Sequence, residues 1–96
     1  MIGVFVIFRY GDNLDERAIC KIAETARGRF EGMPGLRSKV FTFNCEKREA
    51  INFYVWDSED AAKAFFTDEL LERVTGIYGV RPMIEFVQIA TCVENV

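Results

Sequence analysis

Three of the short extended runs in this chain carry apolar side chains on both of their alternating faces, and this limits its folds more than any other feature. Val4-Phe5-Val6-Ile7-Phe8 is β-branched and aromatic throughout and is stopped by Gly11-Asp12-Asn13. As a strand it points Val4, Val6 and Phe8 one way and Phe5 and Ile7 the other. Ile51–Trp56 sets Ile51, Phe53 and Val55 against Asn52, Tyr54 and Trp56, and along Ile84–Val93 and the Met83 before it Met83, Val87 and Ile89 oppose Ile84, Phe86 and Ala90. A sheet with one face in water would alternate to polar residues on that face. These runs do not.

Helical periodicity fills the gaps between strands. Leu14, Ala18, Ile19, Ile22, Ala26 and Phe30 recur at three- and four-residue spacing, behind a cap at Asp12 or Asn13 and acids at Asp15 and Glu16. The spacing predicts a helix that ends near Phe30, where Gly32 and Gly35 flank Pro34. Leu36–Phe43 reads as the second strand, and the short polar link 44–49 makes it an antiparallel hairpin neighbour of Ile51–Trp56. Asp57 or Ser58 caps a second helix whose apolar side is Ala62, Phe66, Leu70, Val74 and Ile77, with a bend or restart at Thr67-Asp68. Gly76 and Gly79 close it, and Arg81-Pro82 imposes an extended exit. The order is β-α-β-β-α-β, a ferredoxin-like α+β plan in which two helices cover one face of a four-stranded antiparallel sheet. Residues 1–96 read as a single domain.

The other sheet face then exceeds the few hundred Å² of contiguous apolar surface that a monomer ordinarily leaves bare. The connecting loops are too short to cover it. The expectation is a homodimer joined through the open sheet faces, with roughly 800 Å² buried per partner as in ordinary specific interfaces.

Charge and composition narrow the function. Twelve basic residues against fifteen acidic give −3, which disfavours nucleic acid as a partner. The chain has no histidine, so it has no imidazole base, no Ser-His-Asp triad and no His ligand for zinc or haem. Cys20, Cys45 and Cys92 are scattered, odd in number and form no CxxC pair; they read as small apolar residues and point to the reducing cytoplasm. No stretch approaches the ~20 apolar residues that span a bilayer, and the opening run lacks the flanks of a signal peptide, so no membrane partner is expected. Asp57, Glu59 and Asp60 lack a glycine-punctuated loop and read as helix-capping acids, so no metal site is expected. A copper-chaperone CxxC loop is missing after the first strand, as are a phosphorylatable histidine and the basic surroundings of an RNA-reading sheet.

Pro34-Gly35-Leu36-Arg37-Ser38-Lys39, opening the second strand, resembles the PG-leading segment of the dimeric α/β-barrel superfamily. So does Asn52-Phe53-Tyr54-Val55-Trp56-Asp57-Ser58-Glu59-Asp60-Ala61-Ala62. The chain resembles the YdhR-like monooxygenases and, more distantly, the antibiotic-biosynthesis monooxygenases. The resemblance implies a dimer with a pocket in each subunit between sheet and helices. It also implies oxidation of phenol-like aromatics without metal or flavin, hence no cofactor. In oxygenating members an Asn and a Trp four residues later on the third strand are associated with the active site, and Asn52 and Trp56 match that spacing.

Asn52, Tyr54 and Trp56 share one strand face, so an amide, a phenol and an indole N–H can orient a planar substrate and hold an oxyanion. These three are the expected catalytic set. Their alternative use is a dimer core, with Asn52 serving a hairpin backbone. Arg9, Arg37 and Lys39 are cations on or beside strands, able to meet an anionic substrate or to serve as charged sheet edges. Arg37 and Lys39 are expected on one face, and a one-residue change in the turn would reverse it. Glu85 and Gln88 lie on opposite faces, so one of them is expected inside; Glu85 is a proton-acceptor candidate if buried and an exposed salt-bridge partner otherwise. The substrate-binding set read from the strands is Arg9, Arg37, Phe41 and Glu85. Two functions fit: a cofactor-independent monooxygenase for small aromatics, and a non-catalytic dimeric binding or pathway-accessory protein using the same pocket.

Overall fold

A computed structural model describes residues 1–12 and 14–95. The elements in chain order are β1 (Ile2–Arg9), α1 (Glu16–Phe30), β2 (Leu36–Asn44), β3 (Glu49–Trp56), α2 (Glu59–Phe65), α3 (Asp68–Tyr78) and β4 (Met83–Gln88). The strands form one antiparallel sheet in the order β2-β3-β1-β4. This is the ferredoxin-like α+β plan, with the second helical segment divided in two.

Capping explains the division. The Thr67 hydroxyl accepts from the Leu70 amide at 3.2 Å, which starts α3 immediately after α2 ends at Phe65. Ser58 caps α2 by accepting from the Ala61 amide at 3.1 Å. α1 is capped by Asp15, whose carboxylate accepts from the Ala18 amide, so Asp15 does the work expected of Asp12, and Asn13 lies outside the described residues. Gly79 closes α3 with a left-handed φ of 84°, a conformation that needs no Cβ.

β4 is shorter than expected. Its pairing with β1 ends at Ile2↔Gln88, where β1 itself begins, so residues beyond Gln88 have no strand to bond to. Val93, expected at the end of that strand, is 80% exposed. The cysteines also depart from expectation, since Cys20, Cys45 and Cys92 are all exposed thiols. Cys20 follows the buried Ile19 and turns outward, Cys45 sits in the β2–β3 turn, and Cys92 lies past β4.

All three helices lie on one sheet face. Ile2, Val4, Val6 and Phe8 of β1 and Ala50, Tyr54 and Trp56 of β3 form a buried core with Ile19 of α1 and Ala62 of α2. The opposite face carries Phe5, Ile7, Ile51, Phe53, Val55 and Val87, with Val40 52% and Met83 56% exposed. The Phe5 and Phe53 rings meet there at 4.6 Å between centroids. Gly3 permits this packing, because a Cβ at that position would come within 2.9 Å of the Phe53 ring.

Candidate functional site

α1 and α3 rest lightly on the sheet. In α1 only Ile19 is buried, and α3 has no fully buried residue. Their apolar stripes therefore enclose space: a cavity of about 700 Å³ opens between the sheet and the helices. Ile22 and Phe30 of α1, Leu70 and Val74 of α3, and Phe65 and Phe66 beside them form its apolar walls. That volume is within the range of small-molecule sites. Among the described residues no helix is long and apolar enough to cross a membrane, and no three Cys, Asp or Glu side chains gather as a metal-binding group.

The sheet supplies the polar floor. Asn52 is 3% exposed, and its Nδ2 donates to the Tyr78 hydroxyl at 3.1 Å, joining β3 to the end of α3. Tyr78 is held from two further sides. Its ring stacks on Phe8 with centroids 3.8 Å apart, and its carbonyl accepts from the Tyr10 hydroxyl at 2.8 Å. Burial pushes the Tyr78 phenol pKa up, against the lowering effect of the Asn52 donor. Tyr54 also lines the cavity, and burial, followed by the neighbouring Tyr78, pushes its pKa up as well. Both phenols keep their protons at neutral pH and remain donors.

Lys39 enters from β2, opposite Tyr54. Its Nζ lies 3.5 Å from the centroid of the Phe30 ring, 4.0 Å from that of Phe41 and 4.4 Å from that of Tyr54. Ring faces attract a cation, yet they replace water poorly. Burial accordingly lowers the Lys39 pKa from 10.5 to about 7. An unfolded lysine keeps its proton to about pH 10.4, so between those values the unfolded chain binds more protons than the fold does. Stability should then rise with pH from about 7 towards 10. Above that, the raised pKa values of Tyr10, Tyr54 and Tyr78 oppose the trend. Urea unfolding midpoints across this window should increase for the parent chain and change little in Lys39→Met; a flat profile in both would contradict the assignment.

The expected site residues separate into two groups. Asn52, Tyr54 and Phe41 line the cavity together. Trp56 shares their sheet face but is not part of the cavity wall: it is 1% exposed, nearly parallel to Tyr54, and packed on Phe65 at 5.2 Å between centroids. Arg9 and Glu85 belong to the opposite face. Arg9 pairs with Glu49 at 3.6 Å, and Glu85, opposite Phe5, is exposed. Gln88 is exposed too, so neither of the two polar β4 residues is inside.

Arg37 falls at a register irregularity between Leu36 and Ser38, which breaks the alternation that would have placed it beside Lys39. It pairs with Asp57 at 3.7 Å instead. Tyr78, Lys21, Arg29 and Arg73 join the site without having been singled out, and Phe30, expected only on the apolar stripe of the first helix, lines it too. Tyr78 lies 26 positions from Asn52, and no local spacing signals that pairing.

This arrangement of sheet and helices recurs in solved structures. A monooxygenase of Streptomyces coelicolor, solved with nanaomycin D, superposes with a TM-score of 0.71 over 99% of this chain and 92% of its own, at 19% identity. A candidate antibiotic biosynthesis monooxygenase from Bordetella bronchiseptica gives a TM-score of 0.70 at 12% identity, over 94% and 97% of the two chains. The fold is shared with these two proteins. A third such protein, from Chloroflexus aurantiacus, matches with a TM-score of 0.63 and 16% identity over 97% and 96%. No protein-family model matches the sequence, and no curated protein does.

Proposed function

We propose that residues 1–96 act as one domain, that two copies pack open face to open face, and that each oxidises a phenol-like aromatic ring in its cavity. The reading is a cofactor-independent monooxygenase of the cytoplasm, where three exposed cysteines stay as free thiols. The observation that carries it is the meeting of Asn52, Tyr78 and Tyr54 at the floor of an apolar cavity large enough for such a ring. The shared fold with three monooxygenase-type proteins adds to it.

In such a reaction the phenol gives up its O–H hydrogen and the hydrogen of one ring C–H, and that carbon gains one oxygen atom to give a quinone. Dioxygen supplies that atom, and its other oxygen leaves with the two hydrogens as water. The step is favoured when negative charge can build on the substrate oxygen, because the electron-rich anion reduces dioxygen more readily. Tyr54 and Tyr78, both protonated, are donors for that oxygen, and Asn52 fixes the Tyr78 hydroxyl in place. The apolar walls lower the local dielectric, which strengthens these hydrogen bonds.

Asn52→Ala should lower turnover about 100-fold, the scale of removing one preorganised donor, while leaving the assembly intact. Oxygen uptake with a panel of phenols and anthrones, read beside light scattering, tests both halves. Unchanged turnover in Asn52→Ala would favour the alternative, a non-catalytic dimeric binding protein using the same cavity.

A further inference from the structure

The cavity has one sign of charge. Lys21 and Arg29 of α1, Lys39 of β2 and Arg73 of α3 line it, and among the described residues no Asp or Glu does. This is unexpected in a chain whose net charge is −3. The ion pairs among the described residues use Arg9, Arg27, Arg37 and Lys63, and leave these four cations aside. Three of the four are exposed, where water solvates them at little cost. Lys39 is different: its ammonium is largely withdrawn from water among three rings, and it pairs with no carboxylate among the described residues.

A cation in that position is stabilised by a ligand that brings the missing charge. A simple phenol does not, since its pKa near 10 keeps it neutral at pH 7. A phosphate monoester brings close to two charges, of which a single buried ammonium balances one. A carboxylate, ionised above about pH 4, supplies one charge throughout the physiological range. The three exposed cations that line the cavity would draw such an anion in, and the apolar walls would take its ring.

We propose that the cavity binds an aromatic carboxylic acid, with its carboxylate paired to the Lys39 ammonium and its ring system against the apolar walls. This rests on the cavity reading above and specifies the substrate class of that same site. Lys39 is then a specificity-determining residue that touches the ligand, while Lys21, Arg29 and Arg73 steer it.

The test is calorimetric binding of 2-naphthoate and of its neutral methyl ester to the full chain at pH 6.5 and low salt. The acid should bind at least about tenfold more tightly than the ester, on the scale of one charge-assisted hydrogen bond. Lys39→Met should erase that preference while the ester still binds, which also reports that the variant folds; Lys39→Arg should restore it. Equal affinities in the parent chain, no binding of the acid, or a preference that survives Lys39→Met would each overturn the proposal. Should Lys39→Met fail to fold, the parent comparison and Lys39→Arg decide alone. Oxygen uptake with 6-hydroxy-2-naphthoate, which carries both the carboxylate and a phenol, separates the two readings: binding by this rule without oxidation removes the monooxygenase and keeps the ligand class. Oxidation of neutral phenols with no preference for the acid does the reverse.

Discussion

Phe53→Asp is expected to turn a species of twice 11.0 kDa in light scattering at micromolar concentration into one of 11.0 kDa. Phe53 occupies the middle of the open face, on β3, opposite Phe5 on one side and Val40 on the other. Its ring rests on Gly3 and against Phe5, so it stands at the position where interface anchors concentrate. A two-fold interface places each substitution in the contact twice. An unpaired buried carboxylate costs on the order of 3 kcal/mol, so the dissociation constant should rise by more than about 100-fold. The helix face is untouched, and the variant should keep its circular dichroism spectrum. A parent chain that is already monomeric, or a Phe53→Asp chain that stays dimeric, would remove the proposed assembly.

Trp56→Ala should lower folding stability by about 3–5 kcal/mol, the usual range for emptying a large aromatic site. Trp56 is among the largest fully buried side chains, and it is enclosed by Tyr54, Phe65 and Phe66. Against a total of 5–15 kcal/mol for an ordinary domain, that loss is a large fraction. Trp56→Phe should cost far less. The indole Nε1 is buried with no hydrogen-bond partner among the described residues, and an orphaned buried donor itself costs about 1–3 kcal/mol. Phenylalanine gives up some volume and removes that penalty. Urea unfolding followed by circular dichroism at fixed protein concentration checks both variants. Equal losses for Ala and Phe would show that the N–H is satisfied and that Trp56 does more than fill space behind Tyr54.

Much of the site was legible because strand alternation is a local rule. Asn52, Tyr54 and Trp56 share a face by spacing alone, and the pairing Phe41↔Asn52 puts Phe41 on that same face. Arg37 and Glu85 illustrate where the rule stops. One irregular position between Leu36 and Ser38 turned Arg37 away from the cavity and left Lys39 in it. Glu85 follows the alternation faithfully, but the side it takes depends on its register with β1, which places it opposite Phe5 on the open face. Arg9 shares that fate. Trp56 is on the expected face and still misses the cavity, because α2 packs Phe65 and Phe66 over this end of the strand.

Sequence by itself determined the order of the elements, the antiparallel sheet with apolar residues on both sides, the helix restart at Thr67, and the absence of imidazole chemistry. Each depends on neighbours a few positions apart, where backbone geometry and hydrogen-bond capacity decide. Only the tertiary structure decided that the stripes of α1 and α3 surround a cavity instead of closing on the sheet, that Tyr78 reaches Asn52, and that Lys39 sits among three rings. Helix stand-off and strand register are set by bulky side chains far apart in the chain meeting at one layer, and no local pattern records their sum.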